Sequence, residues 1–166
     1  MSHLNTTQVA QFRAAVAADP VLGLLQPSNS SALQIADAMN LAAVPAFIVW
    51  KRMETLGNIG QAFNAAELAA RAASDQTRLQ TIAAYFRDGL NPSLATVRQA
   101  FDDIFSGTGG QNTRASLLAL WKRSNSATRF EKLFATGTGS DASPATLVFE
   151  ERLNYTEVNS IMGWNT

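Results

Sequence analysis

Leu79, Ile82, Ala83 and Phe86 follow one another at the three- and four-residue steps of an α-helix. The same spacing returns along most of the chain: Val9, Phe12 and Val16; Leu33, Ala36 and Met39; Leu94, Val97, Phe101 and Ile104; Leu117, Leu118 and Trp121; Phe130, Leu133 and Phe134. Helix-stopping residues stand between these stripes, at Pro20, Pro27, Gly89, Pro92, the Gly107–Gly110 loop, the Gly137–Ser140 loop and Pro144. Short amphipathic helices bury their stripes only against one another. The pattern therefore predicts a mainly α protein, with a compact helical bundle-like domain.

Capping chemistry places the boundaries. Asn5 or Thr6 opens a helix to about Asp19, and Ser30 or Ser31 opens one to Asn40. Between them Val21, Leu22, Leu24 and Leu25 read as an apolar plug in the core. A short helix follows from Lys51 to near Gly57 or Gly60. Asn64 caps residues 65–73, and Ser74 or Asp75 starts a helix that ends at Asp88 before Gly89. Asn91 then caps a helix with Pro92 in its first turn, running to Ser106. Two more are expected over 113–124 and 127–135. Asn154 and Glu157 form a capping-box pair ahead of a helix from Tyr155 to Met162.

Two stretches break the helical period. Pro45 biases Val44 toward extended backbone, and Phe47, Ile48, Val49 and Trp50 favour strand by type, so residues 44–50 read as an extended arm. Residues 145–150 read as a second extended segment. The expected organisation is a helical domain over 1–143 and a C-terminal extended segment with a short helix over 144–166. Phe101–Gly109 and Phe130–Gly139 both end a helix in Gly-Thr-Gly, a weak internal echo.

The chain has no cysteine and one histidine, His3. No thiolate nucleophile and no Cys/His metal cage can be built, and no internal histidine can serve as a base near neutral pH. The expectation is no enzyme, no metal and no cofactor. The glycine loops lack the Gly-Lys-Ser/Thr ending of a phosphate loop. Asp102 and Asp103, as neighbours on a helix, point apart and cannot form a glycosidase pair by themselves. Arg114, Lys122, Arg123, Arg129 and Lys132 make the most basic stretch, with Trp121 and Phe130 interleaved. Lys+Arg and Asp+Glu balance at 13 each, however, which argues against a general attraction to nucleic acid. Leu41 to Trp50, the most apolar run, is too short to span a bilayer. The polar start of the chain predicts no secretory signal, and the lack of cysteine fits a reducing cytosol.

Only 16% of residues are charged, against about 25% in an average protein, so docking to other subunits desolvates little charge. The expected contacts are the arm, through Val44, Phe47, Ile48 and Trp50, and the tail, through Leu147, Phe149, Tyr155 and Trp164. Trp50 and Trp164 are the expected anchors of these contacts if exposed and core residues if not.

Lys122-Arg123, Ala127-Thr128-Arg129, Glu131 through Gly139, Ser143 through Leu147, Phe149-Glu150, Tyr155 and Val158 resemble a group of small, mostly uncharacterised bacteriophage proteins encoded among tail genes. Phe12, Asp19-Pro20, Ile35 through Asn40 and Val49 through Arg52 extend the likeness. The resemblance implies a virion component of the tail, neck or fibre attachment, made in the host cytoplasm. Its partners would be copies of itself and other phage structural proteins. A tail-assembly chaperone absent from the mature particle and a small cytosolic enzyme or DNA-binding regulator are the alternatives.

Overall fold

The structure, a computed structural model, describes residues 4–164. Among them are nine α-helices: α1 (Thr6–Ala18), α2 (Asn29–Asn40), α3 (Leu56–Gln61), α4 (Ala65–Ala69), α5 (Ala73–Tyr85), α6 (Ala95–Ile104), α7 (Gln111–Trp121), α8 (Arg129–Phe134) and α9 (Tyr155–Met162). With 56% helix, and extended segments joined only by isolated bridges, the class is mainly α.

The chain divides into two compact units, one formed by residues up to Ile48 and from Asn125 on, the other by Val49–Ser124. The expected boundary at 143/144 falls inside the first unit. Ala145, Leu147 and Leu153 are buried there and α9 packs on α2, so the tail completes a core instead of leaving it.

In the first unit, Phe12 and Val16 of α1 meet Ile35 and Met39 of α2, Phe130 and Phe134 of α8, and Val158 and Ile161 of α9. Phe12 and Phe130 contact edge to face, with centroids 5.9 Å apart, the arrangement that ring quadrupoles favour. Local caps close three of these helices. Asn5 with Gln8, Thr128 with Glu131, and Asn154 with Glu157 each form a reciprocal capping box. Ser28 caps α2, two or three residues ahead of the expected position, through its bond from Ser31 N at 3.0 Å. The extended tail is fixed by Asn40, whose amide donates to Leu153 O at 2.8 Å and accepts from Leu153 N at 2.9 Å.

In the second unit, Ile59, Leu90, Phe101, Ile104, Phe105, Leu117 and Trp121 form the core with Trp50. Residues 51–55 are not helical as expected. Lys51 N donates to Trp121 O and Glu54 pairs with Leu90, which commits that backbone to bridges until Thr55 caps α3. Nor does Asn91 cap α6. Its carboxamide oxygen accepts from Ser93 N at 3.0 Å, a local turn that delays the helix to Ala95. The α7 N-terminus has no side-chain cap of its own. The Glu67 carboxylate supplies one, accepting from Asn112 N at 2.9 Å and Thr113 N at 2.8 Å.

Candidate functional site

The arm lies in the first unit up to Ile48 and is held on both flanks. Ala43 N donates to Ala127 O at 2.8 Å, Arg129 N to Leu41 O at 2.9 Å, and Phe47 N to Ser126 Oγ at 2.9 Å. On the other side Ile48 N donates to Gly139 O at 2.7 Å and Ala145 N to Ile48 O at 2.9 Å. With these backbone groups satisfied, the tip has no need to fold inward. Val44 is 90% exposed and Leu41 63% exposed. Two apolar side chains are thus displayed on a fixed backbone.

Beside them runs a groove of about 710 Å³, lined by Met39, Leu41, Val44, Leu133, Arg129 and Lys132. Its cations are positioned. Arg129 donates to Asp19 at 2.6 Å, and this bond, with backbone donors Leu22 and Val21, lowers the Asp19 pKa to about 2. Lys132 stands 5.3 Å from the centroid of Phe47. The groove combines an apolar floor with a basic rim. It can receive an apolar side chain with an acidic neighbour.

The expected contact residues separate on burial. Phe47, Trp50 and Leu147 are buried within their own units and belong to cores, not to an exposed face. Phe149 packs on Phe130 and Phe134, with both centroid distances 5.4 Å, and Trp164 is half-buried against the same cluster. Ile48 is half-buried. Val44 and Tyr155 are the two that remain exposed. Around Leu147 the backbone alternates, with Val148 exposed beside it, whereas Val49 and Trp50 are buried in succession, and residue type alone shows neither pattern.

Other expectations shift in the opposite sense. Of the apolar plug only Leu22 is buried; Val21 and Leu24 are 67% and 77% exposed, because the 3₁₀ turn Leu22–Leu24 directs one residue per turn inward. Leu33 is exposed and Ala32 takes the inward position on α2. The clear stripe of α5 contributes no fully buried residue. Phe86 is exposed, Leu79 and Ile82 are half-covered, and a cavity of about 560 Å³ lies between the latter two and Leu56, Phe63 and Leu68. Sequence reasoning missed Leu41 as a surface residue; its only signal was its place just past the helix end.

The basic stretch is spent internally at two points: Arg114 donates to the Phe105 and Gly107 carbonyls, and Arg129 to Asp19. Asp103 accepts from Gln99 at 2.7 Å, one turn earlier on α6. The two Gly-Thr-Gly turns diverge, the first entering a 3₁₀ turn and the second a bridge between Thr136 and Thr146, so they form no repeat. His3 lies outside the described residues. Among the described residues no cluster of acidic or imidazole side chains is placed to hold a metal, and no helix is long and apolar enough to cross a membrane. No family model matches the chain, and no curated protein or solved structure matches it.

Proposed function

We propose that the protein is a non-enzymatic structural component of a bacteriophage particle, in the tail or head–tail connection, acting through contacts with copies of itself and with other phage structural proteins. The observation that carries the docking part is the arm tip: Val44, 90% exposed, on a backbone bonded on both flanks. An apolar side chain held in place before binding loses little freedom when a partner covers it. Low charge density and zero net charge support the same reading, since little must be desolvated on contact. The particle setting rests on the sequence resemblance around Lys122–Gly139 and Ser143–Val158.

Mass spectrometry of purified particles, with wild-type protein and Val44→Glu, tests this. The wild-type protein should be present at a fixed copy number, and Val44→Glu should be depleted while remaining folded by circular dichroism. A protein recovered only from lysate with a tail protein would be an assembly chaperone. DNA affinity falling steeply with salt would make it a regulator.

A further inference from the structure

Helices α6 and α7 line, with Trp50, an open cavity of about 400 Å³ in the second unit. Arg98 and Asp102 stand one turn apart on α6, and Arg114, Leu118 and Trp121 recur at helical spacing on α7, so each helix presents one face to the same space. The Arg98 guanidinium lies 4.2 Å from the centroid of Trp50, a cation–π contact that fixes its plane. It gives Nη1 to Pro92 O at 2.5 Å, while Arg114 gives Nη1 to the Phe105 and Gly107 carbonyls. The remaining donors of both guanidiniums have no acceptor among the described residues, and neither forms an ion pair there. Burial draws the Arg98 pKa below its ordinary value and the Asp102 charge offsets part of that, yet a guanidinium remains charged at neutral pH.

Trp121 adds the second line of support. It lines this cavity, is 3% exposed, and its Nε1–H has no hydrogen-bond partner. Folded proteins rarely leave a buried donor unmet, and an acceptor brought by a ligand would satisfy it.

We propose that this cavity is an oxyanion-binding site for a single carboxylate or phosphate group carried on a small apolar body. Arg98 and Arg114 supply the charge, Trp121 Nε1–H, shielded from solvent, becomes a third donor on a small turn of the indole, and Leu118 with Ala115 forms the wall for the apolar part. The Asp102 carboxylate in the lining offsets part of the charge of the two guanidiniums, so the cationic excess suits one anionic group better than a nucleic-acid backbone. The site stands apart from the docking reading and survives or fails without it.

The chain has three tryptophans and so three indole N–H resonances, of which Trp121→Phe assigns one. Uniformly ¹⁵N-labelled protein is titrated with sodium phosphate, acetate, phenyl phosphate and benzoate at constant ionic strength. The Trp121 resonance should move saturably, and the phenyl-bearing probes should bind more tightly than the bare ions. Stronger binding of the phosphate or of the carboxylate pair names the source, and either fits the site. Arg98→Gln and Arg114→Gln should each weaken binding by about tenfold or more, the loss expected for a charge-assisted bond. Arg98→Lys and Arg114→Lys, checked by thermal melting, should retain part of it. No saturable movement at roughly 100 mM of every probe, well beyond a millimolar dissociation constant, overturns the proposal. Movement that survives both glutamine variants overturns it too.

Discussion

Replacing Gly139 with alanine probes how the arm is held. Gly139 has φ +65°, and a Cβ built there would overlap the Phe47 ring. The left-handed conformation costs an L-residue about 1–2 kcal/mol. Gly139 cannot back away freely, because its carbonyl accepts from Ile48 N at 2.7 Å. The ring must move instead. Phe47 is 8% exposed, and expelling it forfeits up to about 1.5–3 kcal/mol of burial. Together these give roughly 2.5–5 kcal/mol, a large share of the ~5–15 kcal/mol that holds a typical domain folded. Gly163→Ala is the control. It lies in the same unit at φ +76°, and a Cβ there meets only an Arg13 guanidinium nitrogen at 3.3 Å, a far milder approach than that of the ring at Gly139. It should cost the conformational part alone, about 1–2 kcal/mol. Urea unfolding at unchanged m-value reads both. On a Phe47→Ala background, Gly139→Ala should also fall to about that smaller cost, because the two sites are coupled through the ring. A Gly139→Ala cost no greater than that of Gly163→Ala would refute the packing of Phe47 on Gly139.

Val44→Glu should leave the unfolding free energy in urea within about 0.5 kcal/mol of wild type, as for other surface changes, while lowering incorporation into particles. Trp50→Ala should destabilise by about 3–5 kcal/mol in the same assay, as for a buried aromatic; an unchanged midpoint would return Trp50 to the surface. Acid should destabilise the protein. Burial pushes Glu54 and Glu67 upward, but bonds from Lys51, Asn58 and Thr55 to the first, and from Thr113 and Asn112 to the second, hold both below 4.5. Asp19 is lowered from 3.8 to about 2. Folded values below unfolded ones give stability that is present above the unfolded pKa and lost as pH falls through the folded one. The urea midpoint should therefore decline from about pH 4.5 downward, and Asp19→Asn should flatten the part between 3.8 and about 2.

Much of the helical skeleton was legible because its determinants are local. Asn154 and Glu157 bond each other's backbone within one turn, and Asn64 accepts from Glu67 N at 3.1 Å, so three or four adjacent residues settle each start. Asn91 shows where local reading fails. The same side chain can close a short turn or cap a helix, and the bond it accepts from Ser93 decided for the turn.

The candidate site was half legible. The position of the arm followed from Pro45 and the apolar run after it, whereas the exposure of its members did not. Val44 and Phe47 differ little by type, yet one is 90% exposed and the other 8% exposed. That difference comes from Ser126, Ala127 and Gly139, some eighty to ninety positions along the chain, which fix the direction each side chain takes. The cap on α7 likewise comes from Glu67, 45 residues before Asn112. Residue order alone determined where helices begin and that their apolar stripes must be covered. Tertiary structure decided which stripes were covered and by what, because burial depends on distant segments meeting, and no local preference encodes that meeting.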